Sequence, residues 1–290
     1  TRGTPWPSSP LWAAADMDTL ASFLRAHSHG DCISLSIQKD AADRFHCDFA
    51  RVEEEILKLG LMPERYLRNR QTITTEKQLR LLQSHVAVIG CGGIGGYVIE
   101  ELARTGIGTL TLIDPDTFEE HNLNRQLLAT LESIHEPKVA AAERRVAAIN
   151  PAVTVIAHQC ALSRENGPDL MDGAQVAVDG LDGIPSRMVL AEVCEALDIP
   201  LVHGSIAGWY GQLTTQYPGD RTLQKMFSGY SSETGIEETL GNPSFLPPLV
   251  ASMEAAETVK VLLGEGTPLR CRLLSVNLLD MEFADIPIKE

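Results

Sequence analysis

The chain has no C-x-x-C pair. Its six cysteines, Cys32, Cys47, Cys91, Cys160, Cys194 and Cys271, all stand alone. Zinc held by paired thiolates is therefore not expected. Nor is a disulfide framework, because 290 residues, 44% of them hydrophobic, can bury a substantial core without staples. No apolar run approaches the ~20 residues that span a bilayer, and no secretory signal is visible. These absences point to a cytoplasmic chain with no membrane partner. Basic residues are not in excess. The formal net charge of −15 disfavours a nucleic-acid partner, which would want a basic surface. Internal repeats and low-complexity tracts are missing as well.

What is present concentrates between Val86 and Lys138. Val86 to Ile89 is a short apolar run, rich in β-branched residues, that suits a buried parallel strand. It runs into Gly90-Cys-Gly92-Gly93-Ile-Gly95, a G-x-G-x-x-G loop between a strand and a helix expected from about Gly95 to Arg104. Gly90 permits the tight turn, Gly92 and Gly93 admit phosphate oxygens to the backbone, and Gly95 lets the helix approach the sheet. The helix N-terminus then faces the anion. Thr109 to Ile113 is the next strand, and Asp114 at its end has the spacing of an acid that accepts ribose hydroxyls. Asp116 is the nearby alternative.

Two cations separate this pattern from a dehydrogenase. Arg125 lies in N-L-N-R-Q, with Asn122 and Gln126 beside it, and Lys138 follows Pro137 at the start of a helix. Ala142, Val146 and Ile149 give that helix an apolar face. A cation near a helix N-terminus opposes the dipole unless an anion lies between them. With the glycine loop, Arg125 and Lys138 read as a clamp on a triphosphate. Asp182 and Asp179 both follow the apolar strand Gln175 to Val178.

The rest of the chain supports an α/β class. A Rossmann-like, mostly parallel sheet flanked by helices is expected, with antiparallel strands added in the C-terminal half and a small N-terminal extension. Gln212 to Tyr217 reads as an antiparallel strand and Leu273 to Leu278 as a final one. Leu249, Met253, Ala256, Val259 and Leu263 form a helical stripe, with Glu254 and Glu257 on other faces. Cys91 and Cys194 read as small core residues. Residues 1–16 are expected to be a tag or disordered leader. Residues 17–62 form the N-terminal extension, with a helix near Leu20, a strand near Ile33 to Ile37 and a helix from Asp48 to Leu59. Its loosely spaced His27, His29 and His46 read as ordinary surface residues rather than a metal site.

G-C-G-G-I-G, L-I-D-P-D, N-L-N-R-Q, E-P-K and A-I-N-P together resemble the ThiF/MoeB/HesA family, bacterial relatives of ubiquitin-activating enzymes. The resemblance extends to P-E-R-Y-L-R at Pro63 to Arg68, V-D-G-L-D-G at Val178 to Gly183, Arg187, and H-G-S-I-A-G-W-Y-G-Q from His203. It implies that residues 63–290 form an ATP-binding adenylation domain. The implied substrate is the C-terminal carboxylate of a ubiquitin-like sulfur carrier ending in Gly-Gly, serving thiamine, molybdenum-cofactor or a related biosynthesis. It implies that Gly93 lies under the phosphates, that Asp114 holds the ribose, and that Arg125 and Lys138 neutralise the phosphates. Asp182, favoured over Asp179, would hold Mg²⁺. Arg68 would reach the nucleotide of a partner subunit, which implies a homodimer.

Departures matter. Many members carry two C-x-x-C pairs for zinc, and this chain has none. The crossover segment, roughly Pro218 to Pro248, has no cysteine to take the activated carrier, so a separate sulfurtransferase is implied. Gly183 stands where the family often has Asn. Three rival readings share the nucleotide motifs: a tRNA threonylcarbamoyladenosine dehydratase-like enzyme, a peptide-modifying adenylating enzyme, and a silent scaffold subunit. A plain NAD dehydrogenase fits least well.

Overall fold

The computed structural model describes residues 19–228 and 237–288. The expected leader, residues 1–16, lies outside them, as do residues 229–236 of the crossover segment. The contacts divide the chain into two units, one ending at Leu79 and the other beginning at Arg80.

The first unit holds α1 (Leu20–Ala26), β1 (Cys32–Ile33), α2 (Leu35–Phe45), α3 (Phe49–Lys58) and β2 (Met62–Pro63). Thr19, Ser34 and Asp48 cap the three helices by accepting backbone N–H groups of the first turn. Helices near Leu20 and over Asp48 to Leu59 appear where expected. The strand expected over Ile33 to Ile37 does not. It shrinks to two residues paired in parallel with β2, because Ser34 caps α2 immediately afterwards. Leu24, Ile33, Val52 and Ile56 form the core of this unit. Beside it the fully buried Glu53 carboxylate accepts from Arg65 and from the Tyr66 hydroxyl, the latter at 2.8 Å. Burial pushes the Glu53 carboxyl above its ordinary range.

The second unit follows α4 (Thr75–Leu82), which crosses the boundary. It contains β3 (His85–Ile89), α5 (Gly93–Thr105), β4 (Thr109–Ile113), α6 (Lys138–Ile149), β5 (Thr154–His158), α7 (Gly167–Leu170) and β6 (Val176–Asp179). Then come α8 (Ile184–Leu197), β7 (Leu201–Ala207), β8 (Tyr210–Gln216), α9 (Thr222–Phe227), α10 (Glu237–Leu240), α11 (Leu246–Leu263), β9 (Arg272–Asn277) and β10 (Glu282–Pro287). The strands form one sheet in the order β10-β9-β8-β7-β6-β3-β4-β5. β3 to β7 run parallel, and β8, β9 and β10 extend the sheet antiparallel. This is the Rossmann-like architecture expected, with the antiparallel additions in the C-terminal half.

β3, β4 and β6 are buried almost throughout, as strands covered on both faces must be. On one face α8 contributes Leu190 and Val193 to a core with Ala87, Ile89, Ile113 and Ala177. α11 packs on α5, β7 and β8. The expected stripe on α11 is corrected. Its buried residues include Val250, Ala251, Glu254, Ala255, Glu257 and Thr258, whereas Ala256 is exposed. The buried glutamates break the apolar pattern from which that face was inferred. β10 was not anticipated. It is exposed on both sides, so no alternation marks it.

Candidate active site

After β3 the chain moves through β4 to β5 on one side, then returns to β6 and β7 on the other. Doubly wound sheets bind ligands at such a switch point, outside the carboxyl ends of the strands. Three loops meet there: Gly90–Gly92 after β3, Asp114–Asp116 after β4 and Gly180–Gly183 after β6.

The first and last of these loops interlock. Gly90 has a φ of +92°, and a Cβ there would lie 2.3 Å from the Gly180 carbonyl oxygen. A Cβ on Gly95 would lie 1.8 Å from the Gly90 oxygen, which no side chain can survive. Gly92 and Gly93 differ, since their nearest neighbours would be ordinary contacts at 3.5 and 3.8 Å. No neighbouring protein atom bars a Cβ at these two positions. Gly92 caps α5, which starts two residues earlier than expected and so turns the N–H groups of this loop into its first turn.

Asp114 is buried, with Oδ2 accepting the Cys91 N–H at 2.7 Å and Oδ1 accepting the Asp116 N–H at 2.8 Å. Burial raises its pKa even though Lys138 and both N–H groups favour the charged form. Lys138 opens α6 behind Pro137. Its side chain is 8% exposed; the ammonium donates to Asp116 Oδ2 at 2.8 Å, and the backbone N–H donates to the Asp116 carbonyl at 3.0 Å. The anion that the helix terminus calls for is therefore supplied by the protein.

Two hollows adjoin here. The larger is lined by Gly90, Gly92, Asp114, Asp116, Lys138 and Asp182, with Cys160 to Leu162 as another wall. The smaller, a narrow cleft, is lined by Gly93, Arg125, Asp182, Arg187 and Asn242, among others. Asp182 is exposed and borders both. The Arg125 guanidinium is tied back, donating to the Asn124 side chain at 2.9 Å and the His121 carbonyl at 3.2 Å.

Asn122 and Gln126 line neither hollow. Asn122 is buried and its Oδ1 accepts the Glu119 N–H at 2.9 Å, which holds the turn before Arg125. Gln126 is buried against Gly92, and its Oε1 has no partner among the described residues. Arg68 belongs to the first unit. It is exposed, and no hydrogen bond or ion pair engages it among the described residues.

Asp179 and Asp182 have different surroundings. Asp179 is fully buried, with Oδ1 accepting the Leu181 N–H at 2.9 Å and Oδ2 accepting from His203 Nδ1 at 2.6 Å. Arg187 Nε approaches the same oxygen at 3.5 Å, and Arg187 Nη2 donates to the Leu181 carbonyl at 2.7 Å. Leu181 is thus gripped at both its N–H and its C=O, one residue before Asp182. Burial lowers the His203 pKa and keeps the imidazole neutral. Below lies Glu254, fully buried, with its carboxyl pushed well above its ordinary range by burial and by Asp179. Sequence reasoning placed His203 and Arg187 in motifs without roles and put Glu254 on the wrong face. The pairing of Asp179 with His203 follows from the β6–β7 register, where the two are direct partners.

Among the described residues, no three His, Cys, Asp or Glu side chains gather into a protein-only metal cage. A single open carboxylate fits Mg²⁺ all the same, because that ion binds through one or two carboxylates plus substrate phosphates. No helix among the described residues is long and apolar enough to cross a membrane.

The SAMP-activating enzyme E1 of Haloferax volcanii is 36% identical over 216 residues, covering 74% of this chain and 80% of that protein. The sulfur carrier protein adenylyltransferase of Thermus thermophilus is 33% identical over 223 residues, covering 74% and 82%. In fold the chain is similar to the crystal structure of E. coli MccB with ATP. The TM-score is 0.65 and the identity 20%, over 87% of this chain and 79% of that one. The model of the ThiF family matches residues 66–290, and the chain belongs to the ThiF family.

Proposed function

We propose that this chain, an adenylyltransferase, activates the C-terminal carboxylate of a ubiquitin-like sulfur carrier with ATP. A carboxylate oxygen attacks the α-phosphorus. The bond from that phosphorus to the bridging oxygen breaks, and pyrophosphate leaves with the electron pair. The acyl-adenylate remains. Little covalent work falls to the protein, which must align the reactants and balance charge.

The observation that carries the reading is the junction of the two hollows at Asp182, with Lys138 on one side and Arg125 on the other. In this reading Asp114 accepts the ribose hydroxyls, and the N–H groups at Gly92 and Gly93 face phosphate oxygens. Lys138 exchanges Asp116 for phosphate. Arg125 swings from Asn124 to the developing charge. Asp182 holds Mg²⁺, which when bound supplies charge neutralisation between carboxylate and phosphates. Arg68 completes the site from the second subunit of a homodimer. The carrier serves thiamine, molybdenum-cofactor or related sulfur insertion in the cytoplasm, and a separate sulfurtransferase supplies sulfur.

Carrier-dependent exchange of labelled pyrophosphate into ATP tests this. Arg125→Ala and Asp182→Ala are expected to lose ~100-fold or more, the loss typical of removing one transition-state contact. Full exchange in both variants overturns the assignment.

A further inference from the structure

Arg68 is exposed and unengaged among the described residues, yet the chain on either side of it is fixed. Three residues earlier, Arg65 is held by two side chains of the N-terminal extension. Its guanidinium donates to the buried Glu53 carboxylate of α3, and its Nη2 donates to Gln38 Oε1 of α2 at 2.8 Å. Gln38 is itself buried, with Nε2 donating to the Ile33 carbonyl at 3.2 Å. Tyr66 is fully buried, and its hydroxyl donates to the other Glu53 oxygen at 2.8 Å. Two residues after Arg68, Arg70 pairs with Asp31 through both terminal nitrogens, Nη2 to Oδ2 at 2.6 Å and Nη1 to Oδ1 at 3.2 Å.

The backbone between these anchors is closed as well. The Leu67 N–H donates to the Glu64 carbonyl at 3.1 Å, and the Asn69 N–H to the Tyr66 carbonyl at 2.8 Å. Of the three arginines in this stretch, the outer two have acidic partners in the extension and the middle one has none among the described residues. A buried carboxylate–arginine pair adds little stability over apolar packing of the same volume. An exposed pair such as Asp31 with Arg70 adds little either. What the two pairs supply is position. They fix the segment, so Arg68 has less freedom to lose when it meets an anion.

We infer that the N-terminal extension is a mount for Arg68, with Glu53 and Asp31 as positioning residues at its two ends. The inference rests on the reading in which Arg68 completes the nucleotide site of a second subunit. Asp31, Gln38 and Glu53 all precede Tyr66, where the family match begins, so that match does not include the mount.

The test follows exchange of labelled pyrophosphate into ATP with a ThiS-like carrier ending in Gly-Gly. Glu53→Gln tests the buried end, and Asp31→Ala keeps the test open if that variant does not fold. Asp31→Ala loses a pair that is open to solvent, so it should keep a Tm close to that of the wild type. Its kcat should fall about 10-fold, as misplacement of a positioned group predicts. In the Arg68→Ala background the same substitution should cost nothing further. Dimers are then assembled from two differently tagged chains. A dimer of Asp31→Ala with Asp182→Ala contains one site that has both a wild-type mount and a wild-type Asp182, and that site should regain wild-type kcat. Arg68→Ala with Asp182→Ala should recover in the same way. Wild-type activity in Asp31→Ala, or an equal loss with and without Arg68, overturns the inference. No recovery in the dimer of Arg68→Ala with Asp182→Ala overturns the two-subunit site and the inference with it. Absence of exchange by the wild type with any Gly-Gly carrier overturns the adenylation reading itself.

Discussion

Lys138 and Asp116 form an ion pair across the mouth of the larger hollow, with Nζ 2.8 Å from Oδ2. The lysine is almost enclosed and the aspartate is open to solvent, so the pair is asymmetric. A phosphate arriving beside Lys138 competes with Asp116 for the ammonium. Lys138→Met is expected to weaken ATP binding by about 10-fold or more, the value of a charged hydrogen bond. Asp116→Asn frees the lysine and removes a negative charge, so it should bind ATP as tightly as the wild type or up to ~5-fold tighter. Calorimetry decides. If Asp116→Asn weakens binding as much as Lys138→Met does, Asp116 reads the nucleotide directly, the alternative its place in L-I-D-P-D leaves open.

Gly93 and Gly95 separate ligand from fold. Gly95→Ala forces a methyl into the Gly90 carbonyl and should unfold the β3–α5 turn or lower Tm sharply. Gly93→Ala meets Pro247 at 3.8 Å and Arg125 Cγ at 4.0 Å, both ordinary contacts, and should keep Tm close to that of the wild type. Its ATP affinity should nevertheless fall, because the methyl occupies the approach of a phosphate. Unchanged ATP binding in folded Gly93→Ala contradicts the placement of the phosphates.

The two acids of the β6 loop should fail in different ways. Asp182 borders open space, so Asp182→Asn is expected to abolish exchange with Tm preserved. Asp179 is buried among Arg187, His203 and the Leu181 N–H. Asp179→Asn leaves the buried Arg187 without its counter-charge, and a loss of about 3–5 kcal/mol is expected in chemical denaturation. Equal stability in the two variants contradicts the division of labour.

Glu254 makes stability depend on pH. Its folded pKa is raised above the ordinary 4.5 by burial and by Asp179. Within the window between those two pKa values the folded chain keeps a proton that the unfolded chain releases. Stability therefore falls as pH climbs through the window, by up to about 1.4 kcal/mol per pH unit. Glu254→Gln has no such proton to lose. Its Tm should decline less than that of the wild type as pH rises above the ordinary carboxyl value of 4.5. Parallel Tm curves contradict a protonated Glu254.

Much of this was legible in the sequence where the physics is local. β3, β4 and β6 were found within a residue because buried parallel strands read as apolar runs closed by glycine or aspartate. The glycine loop, Asp114, Lys138 and Asp182, picked out by their motifs, line one hollow. Long-range register was not legible. Nothing near Asp179 says that His203 lies opposite it, and nothing near Lys138 says that Asp116 rather than solvent will hold its ammonium. α11 misled because two buried glutamates occupy the face that pattern reasoning assigns to water.

The central claim is that ATP is opened by a carrier's terminal carboxylate. The most direct measurement is labelled pyrophosphate exchange into ATP with one carrier in two forms, its Gly-Gly end free or converted to the amide. The account predicts exchange with the free carboxylate and none with the amide. Exchange that persists with the amide, or that proceeds without any carrier, contradicts it.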